Sequence, residues 1–366
     1  MILDTGTAAS ILLAGFLILV VLRIPVAFAL GLSTVPVVLL ELRLTPFIVL
    51  DRMFQSYNSF ILLAVPFFLL AANLMNSGKV TDRLIELARV MTGWMPGGLG
   101  HVNVAVSMLF AGISGSSTAD AAGIGKILIP AMQKEGYDTR FAVAIPACSS
   151  VMGVIIPPSI LMIVWGGVMQ VSVGALFLGG AIPGLMIGLA LMGTVYGFAK
   201  ARNYPVTATP NWAEFRGAWK GAALALLTPI FVIGGIVGGI VTPTESAIIA
   251  ASYSLILGMF VYRTVRPKDL GFILYDTARF AAISLFAIGT ASAFGWLLSF
   301  YNAPRLIVGL ITAWEFGPFG TALIIAALFL IFGLFIDAIP TIIILGTVLM
   351  PVAQVGGIDP IAFAII

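Results

Sequence analysis

Charged residues are scarce in this sequence, at 9% of 366 residues, where an average soluble protein has about 25%. The single cysteine, Cys148, excludes an internal disulfide, and the single histidine, His101, leaves little with which to build a transition-metal site. The net charge of +3 is too small to suggest binding to nucleic acid. These scarcities argue against a soluble domain, a disulfide scaffold and a zinc protein.

Apolar residues are abundant instead, at 60% of the chain with a mean hydropathy of +1.14. This composition predicts an all-α polytopic protein that crosses the lipid bilayer in helices of about 20 residues. Ala27-Phe28-Ala29 resembles a signal-peptide cleavage site. The segment before the first apolar run, however, contains Asp4 and lacks Lys and Arg, so we predict an uncleaved first span. The predicted spans are Ala9–Leu22, Val26–Leu42, Ile61–Met75, Leu176–Phe198, Ala222–Ile240, Ser246–Val261 and Phe280–Phe300.

A polar stretch between Gly112 and Arg140 interrupts this pattern. It begins Gly-Ile-Ser-Gly-Ser-Ser-Thr-Ala-Asp, which places three serines, a threonine and Asp120 between apolar flanks. Irregular backbone at membrane depth persists only where protein buries it or where it lines a wet cavity, so the stretch predicts a re-entrant hairpin with a binding site. Close helix packing through small residues is the alternative, but it does not require Asp120.

The hairpin occurs a second time. A shift of 221 residues aligns, without gaps, Gly112 with Gly333, Gly125 with Gly346, Pro130 with Pro351, Gln133 with Gln354, Gly136 with Gly357 and Asp138 with Asp359. The polar tip of the second copy is Asp337-Ala338-Ile339-Pro340-Thr341. Interrupted apolar segments at matching positions in two halves are typical of the binding site of a transporter.

A break of another kind lies at Gly153-Val154-Ile155-Ile156-Pro157-Pro158-Ser159, within a long apolar run. Two consecutive prolines cannot donate backbone hydrogen bonds, so the carbonyls near Gly153 and Ile155 lose their helical partners and become available to a cation. A simple kink, in which a nearby serine or a water satisfies these carbonyls, is an equally open interpretation.

The repeat divides the chain into two halves. The counterpart of Pro157-Pro158 would fall beyond Ile366, so we expect the second half to be C-terminally incomplete. We predict a first inverted repeat over 1–203, which contains a hairpin over 98–134 and a broken helix over 140–170. A cytoplasmic connector over 204–221 follows. The second inverted repeat, over 222–366, contains a hairpin over 318–355.

Three shorter segments complete the predicted layout. Lys79–Met91 predicts an interfacial amphipathic helix, too charged to span the membrane, whose apolar face holds Val80, Leu84, Leu87, Ala88 and Met91. Pro304–Trp314 takes the same place in the second half, and we expect both segments to frame a mobile core. Thr242 and Glu245 fit a helix capping box, although a functional role is equally open.

The distribution of basic residues supplies an orientation. With the N-terminus outside, only Arg43, Arg52 and Arg305 fall on the outer side, whereas most of the other basic residues fall in cytoplasmic segments, as the positive-inside rule requires. The same assignment makes the two hairpins enter from opposite faces, so the predicted repeats are inverted.

Inverted halves that each carry a hairpin and a broken helix resemble the ion-transporter architecture of elevator-type secondary carriers. Particular motifs, in order along nearly the whole chain, resemble the large membrane subunit (DctM-type) of tripartite ATP-independent periplasmic (TRAP) transporters. The family's later Thr-Pro-Pro motif is absent from this chain. The matching motifs are Ser114-Gly115-Ser116-Ser117-Thr118-Ala119-Asp120, Ile129-Pro130-Ala131-Met132, Gly136-Tyr137-Asp138, Ile156-Pro157-Pro158-Ser159 and Gly238-Gly239-Ile240-Val241-Thr242-Pro243-Thr244-Glu245.

The resemblance implies sodium-driven uptake of an organic acid, of the sialic acid or dicarboxylate class, that a periplasmic substrate-binding protein hands over. It also implies a multi-pass protein of the bacterial inner membrane, without enzymatic activity, beside a small four-helix membrane subunit. Because Na⁺ prefers hydroxyl, carboxylate and carbonyl oxygens, we expect it at Ser114, Ser116, Thr118, Gly153, Ile156, Pro158, Asp337 and Thr341. Helix N-termini can hold a substrate carboxylate, so we expect the organic acid at Ser116, Ser117, Thr118, Asp120 and Ser159.

Two other functions fit parts of the sequence. Gly112-Ile113-Ser114-Gly115 resembles the nucleophile motif of rhomboid intramembrane proteases, but the one histidine, His101, lies in the same hairpin, and a serine without a positioned base is inert. A passive channel also remains open, although paired broken helices favour alternating access.

Overall fold

The computed structural model describes residues 3–206, 210–305, 308–309 and 317–366, and the regular structure in these residues is helical. The helices of this part of the chain that are long and apolar enough to cross a membrane number six, and a bent pair, Thr139–Ile155 and Ile160–Met169 at 41°, would form a seventh. The predicted all-α, multi-span architecture is therefore confirmed. Most of the predicted arm at Pro304–Trp314 lies outside the described residues.

The chain forms two compact units. Unit 1 consists of Met1–Leu62, Val164–Val171 and Arg279–Ile366, and unit 2 consists of Leu63–Ile163 and Ser172–Ala278. Two helices, α10 (Ile160–Met169) and α14 (Leu270–Phe300), have residues in both units. The other helices of unit 1 are α1 (Thr5–Val21), α2 (Val26–Leu40), α3 (Ile48–Tyr57), α15 (Pro318–Gly333), α16 (Ala338–Val355) and α17 (Pro360–Ile365).

Unit 2 surrounds the first hairpin. Its helices are α4 (Ala64–Ser77), α5 (Val80–Thr92), α6 (Gly98–Ser114), α7 (Ser117–Lys134), α8 (Thr139–Ser149), α9 (Met152–Ile155), α11 (Val173–Arg202), α12 (Trp212–Val237) and α13 (Pro243–Ile256). Helix α6 is the centre of the unit, because all of its residues except Met108 and Leu109 are buried. One side chain, Phe110, packs in a core cluster with residues of α5, α7 and α12.

Unit 1 has its own apolar core. Phe16 of α1 contacts Phe294 of α14, with ring centroids 5.9 Å apart, and Trp165 contacts Phe363 of α17 at 5.1 Å. A buried polar cluster ties the end of α2 to the end of α14, because the enclosed Glu41 carboxylate accepts hydrogen bonds from the Arg43 guanidinium at 2.7 Å and from the Tyr301 hydroxyl at 2.9 Å.

Several helices begin where the sequence supplies a capping side chain. Thr242 and Glu245 form the predicted capping box at the start of α13, so the structural interpretation of this motif is confirmed. Asn211 and Glu214 form another box at the start of α12. As a result, residues 212–221 of the predicted connector are helical, and residues 207–209 lie outside the described part.

Helix α5 agrees with the amphipathic pattern except at its end. Val80, Leu84 and Leu87 are buried as predicted, but Met91 is 45% exposed. The helix packs against α6 and α12 in the core of unit 2 through its apolar face. Met91 lies in the last turn and is not part of this core, whereas its neighbour Val90 still packs against it.

The two hairpins share their local structure at the predicted spacing. Helix α7 begins after the N-cap residue Ser116 and α16 begins after Asp337, which is 221 residues later, and their C-terminal ends keep the same offset. Gly136 and Gly357, which follow these helices, both have positive φ angles, 85° and 76°. A left-handed residue ends the hairpin in each copy, which is why both positions are glycine.

Candidate functional site

The tip of the first hairpin is a tight turn with exposed hydroxyls. Gly115 ends α6 in the left-handed conformation, with φ of 62°, and Ser116 caps α7 by accepting a hydrogen bond from the Ala119 amide at 3.4 Å. The Ser116 and Thr118 hydroxyls lie 3.1 Å apart, and Thr118 is exposed. Ser117, on the same turn, is partly exposed. The tip therefore presents three hydroxyl groups next to the N-terminus of a helix.

A buried hydrogen bond connects the two arms of this hairpin. Ser114, the last residue of α6, donates its hydroxyl hydrogen to the Asp120 carboxylate on α7, and the Ser116 amide donates to the Ser114 hydroxyl oxygen at 3.3 Å. Asp120 has no exposed surface, and its second carboxylate oxygen, Oδ2, has no hydrogen-bond partner among the described residues. An unpartnered buried oxygen of this kind is costly unless a cation or a water satisfies it.

The break between α9 and α10 lies directly against the hairpin tip. The Ile160 amide donates to the Gly115 carbonyl at 3.1 Å, and a Cβ atom on Gly115 would lie 2.8 Å from the Pro158 carbonyl oxygen. A Cβ atom on Gly153 would overlap the Asp120 carboxylate. The structure thus brings together the hydroxyls of the tip, the buried carboxylate and the proline-containing break, all within unit 2.

Ser159 partly satisfies the carbonyls that the prolines leave without partners. Its hydroxyl donates to the Val154 carbonyl at 2.6 Å and accepts from the Met162 amide at 3.3 Å, so it bridges the break and caps α10. Ser159 is also fully buried. The kink interpretation therefore accounts for Val154, while the carbonyl of Pro158 faces the tip.

The predicted residues of the second hairpin lie in unit 1. Asp337 is the N-cap residue of α16, yet its exposed carboxylate makes no capping hydrogen bond, and Arg305 does not form an ion pair with it in the described residues. Thr341, one turn later, is buried and donates its hydroxyl to the Asp337 carbonyl at 2.9 Å. Among the described residues, the Asp337 carboxylate therefore has no ion-pair partner within its own unit.

One polar group near this site was not predicted. Asn103 and Ser107 on α6 share hydrogen bonds of 2.9 Å with Ser149 on α8, and all three side chains are buried. The signal was present in the sequence, because Asn103 and Ser107 are four residues apart and so lie on one face of an otherwise apolar helix. The network fixes α8, and with it the break that follows, against the hairpin.

The predicted alternative of a serine protease does not fit this geometry. His101 and Ser114 are both on α6, so 13 residues separate them by about 20 Å along the helix axis. Ser114 donates its hydroxyl hydrogen to Asp120. The group on the Ser114 hydroxyl is the Asp120 carboxylate, so the histidine base of a rhomboid-type protease does not lie beside this serine.

Comparison with known proteins shows many relatives. The isethionate TRAP transporter permease protein DctMQ of Oleidesulfovibrio alaskensis is 37% identical over 357 residues, which are 97% of this chain and 56% of the relative. The sialic acid TRAP transporter permease protein SiaT of Haemophilus influenzae is 37% identical over 364 residues, 98% of this chain and 58% of the relative. The C4-dicarboxylate TRAP transporter large permease protein DctM of Vibrio cholerae is 34% identical over an alignment of 368 positions, which covers 95% of this chain and 81% of the relative.

The chain thus spans less than three fifths of two of these relatives and about four fifths of the third. A family model described as the DctM component of the tripartite ATP-independent periplasmic transporter matches residues 13–366, which include both hairpins and the break. The resemblance noted from the motifs is confirmed, and the chain belongs to the DctM family of TRAP transporter large permease components.

Proposed function

We propose that this chain is the membrane subunit through which a TRAP transporter of the bacterial inner membrane takes up an organic acid with sodium, its N-terminus being periplasmic. An elevator movement of a substrate-carrying part across the membrane would give the two sides alternating access, with the two repeats inverted relative to each other. The partners are a periplasmic substrate-binding protein and a small four-helix membrane subunit. The substrate is an acid of the sialic acid or dicarboxylate class, as the names of the relatives suggest.

The observation that carries this proposal is the cluster of oxygen atoms in unit 2. Hydroxyls at Ser116 and Thr118, the Asp120 carboxylate and the Pro158 carbonyl are collected where a hairpin tip meets a helix break. Sodium is a hard cation that takes such ligands, and groups of three or more His, Cys, Asp or Glu suited to a transition metal are absent from the described residues. The sodium ligands in the second hairpin would be Asp337 and Thr341.

The burial of Asp120 changes its proposed role. It was expected to bind the substrate, but its side chain is enclosed and bonded to Ser114. We therefore assign it to holding Ser114 and to supplying negative charge behind the ion, while the accessible Ser117 and Thr118 keep the role of substrate contacts. Ser159, equally enclosed, holds the break in place.

Transport by the purified protein is expected to need both partners and a sodium gradient. In liposomes that contain this protein and the small subunit, with the binding protein outside, uptake of labelled N-acetylneuraminate or succinate should rise with an inward sodium gradient and not with a potassium gradient. Counterflow of labelled substrate against an unlabelled excess distinguishes a carrier from a channel. Full uptake by this protein alone, or uptake indifferent to sodium, would contradict the proposal.

Loss of the tip hydroxyls is expected to weaken sodium binding. In Thr118→Ala, and more strongly in Ser116→Ala with Thr118→Ala, the sodium concentration for half-maximal uptake should rise several-fold, because ion ligands are lost. Ser116 also caps α7, and removing a cap costs about 1 kcal/mol of stability, so the single Thr118 variant is the cleaner test. Thr194→Ala, on the exposed face of α11, is the control. If the sodium concentration for half-maximal uptake changes equally in Thr118→Ala and Thr194→Ala, the assignment of the tip hydroxyls is refuted.

Asp337→Asn is expected to reduce uptake sharply and to raise the sodium requirement. Asn is also a good N-cap residue, so α16 should still form, while the charge that lowers the cost of dehydrating the cation is lost. Uptake is measured over a sodium series for Asp337→Asn, Arg305→Gln and the double variant. If adding Arg305→Gln restores the uptake lost in Asp337→Asn, or if Asp337→Asn transports normally at low sodium, Asp337 is a structural residue.

A further inference from the structure

Unit 1 contains a cavity of about 680 Å³ that the sequence did not predict. It lies among α3, the turn after it, the last turn of α10 with Gln170 after it, and residues of α14 and α16. Its volume is within the range of about 300–1,000 Å³ that holds a small organic ligand. The polar side chains that line it include Arg52, Asn58, Ser59, Gln170, Ser292 and Ser299.

Arg52 is the one charged residue among the described residues that line this cavity. One face of its guanidinium lies over the Trp296 ring, with Cζ 4.3 Å from the centroid, and its Nη1 donates to the Gln55 side chain at 3.0 Å. The nearest acid in the same network is Asp51, which is bound to the other end of Gln55 at 2.8 Å and forms no ion pair with Arg52. The Nε–H is buried and has no acceptor in the described residues.

Nη2 of the guanidinium is neither fully buried nor hydrogen-bonded among the described residues, so it is the donor that a ligand can reach. A charged N–H donor of this kind forms a stronger hydrogen bond with a carboxylate than a neutral donor does. Trp296 blocks one face and fixes the plane of the group, so the lost rotational freedom is small when an anion binds. The hydroxyls and amides on the other walls are suited to hydroxyl or carbonyl groups of the same ligand.

We propose that this cavity binds an organic acid, whose carboxylate is held by Nη2 of Arg52 while Trp296 supports the guanidinium from behind. The inference rests on the proposed function in taking this acid to be the transported one. Ile343 and Thr347, which also line the cavity, belong to α16, so the acid would contact the same helix that begins at Asp337. An arginine that merely anchors α3 against Trp296 is the alternative.

A first test measures the charge selectivity of the cavity and requires no transport. Ser299→Cys, made in a variant without the native cysteine (Cys148→Ala), places a single thiol in the lining of the cavity. The rates at which this thiol reacts with an anionic and with a cationic methanethiosulfonate reagent are then compared at low ionic strength. Arg52→Gln should lower the anionic-to-cationic ratio by up to about 30-fold, because one charge at 4 Å in water changes each rate about fivefold, in opposite directions for the two reagents. Arg52→Lys should keep the ratio, and a thiol at Ser77, outside the lining, should be insensitive to Arg52.

A second test uses sodium-driven uptake. Arg52→Gln should raise the KM for succinate or N-acetylneuraminate about tenfold or more, and Arg52→Lys should restore little of it, because lysine lacks the planar guanidinium that Trp296 holds in place. The half-maximal sodium concentration should stay unchanged, as should all values in Arg279→Gln, an exposed control in the same unit. Thermal unfolding of each variant without ligand shows whether the fold is intact.

The outcomes separate the two proposals. An unchanged reagent ratio in folded Arg52→Gln, or sodium-dependent uptake with an unaltered KM, overturns the anion site and leaves the sodium-coupled function standing. Uptake that ignores sodium overturns the proposed function, while a shifted reagent ratio would still show that the cavity attracts anions through Arg52.

Discussion

Gly115→Ala is expected to abolish sodium-driven uptake. The position has a φ of 62°, which an L-residue adopts at a cost of about 1–2 kcal/mol. The added Cβ would also lie 2.8 Å from the Pro158 carbonyl oxygen and 3.1 Å from the Ile160 amide nitrogen. Both neighbours are backbone atoms, which cannot rotate away as a side chain can. The tip must therefore separate from the break, and the shared ligand cluster is lost.

Uptake and membrane expression of Gly115→Ala are compared with those of Gly123→Ala, a glycine in the same hairpin. A Cβ on Gly123 meets only the Asn76 side chain, at 3.7 Å, which is an ordinary contact. This variant should transport normally, since alanine also favours the helix by about 1 kcal/mol. If both glycine variants transport alike, the close approach of tip and break is not needed for function.

Replacing Asp120 is expected to produce the second large effect. Asp120→Ala leaves the Ser114 hydroxyl buried without its acceptor, which costs about 1–3 kcal/mol of stability, and removes the charge behind the tip. Uptake should fall at least about tenfold, the consequence of some 1.4 kcal/mol of lost binding. Asp120→Asn keeps an acceptor for Ser114 and should retain more activity than the alanine variant.

The kinetic parameters distinguish the two roles considered for Asp120. A residue that positions the ion site should change the sodium concentration for half-maximal uptake and leave the KM for the organic acid near its original value at saturating sodium. A residue that contacts the substrate should do the reverse. A changed KM with an unaltered sodium dependence would return Asp120 to the substrate site, and a change in neither would make it a packing residue.

The hairpin tip and the break could be located from the sequence, but the burial of their side chains could not. Glycine, proline and hydroxyl residues are informative because their backbone or hydrogen-bonding consequences are local, so the hairpin tip and the break at Pro157-Pro158 were both found. Whether Asp120 faces outward or inward depends on which helix passes behind it. That helix contributes Gly153, whose missing side chain makes room for the carboxylate, and nothing in the local pattern of Asp120 shows this pairing.

The cavity of unit 1 could not be predicted from the sequence. In the sequence, Arg52 is one of three basic residues predicted on the outer side of the membrane, and no motif around it indicates a ligand-binding role. Its position over Trp296 joins residues 244 apart in the chain, and no periodicity or motif spans that separation. Contacts between distant segments are what the fold adds to the sequence here.

The enclosure of α6 has a consequence for the cooperativity of unit 2. Because neighbours surround nearly all of its length, no face of this helix can be exposed by fraying a single loop or terminus. Its amide hydrogens should therefore exchange with water only through openings that disrupt the unit as a whole, at the free energy of its global unfolding. The oxygen atoms at the tip are consequently attached to the slowest-exchanging part of the unit.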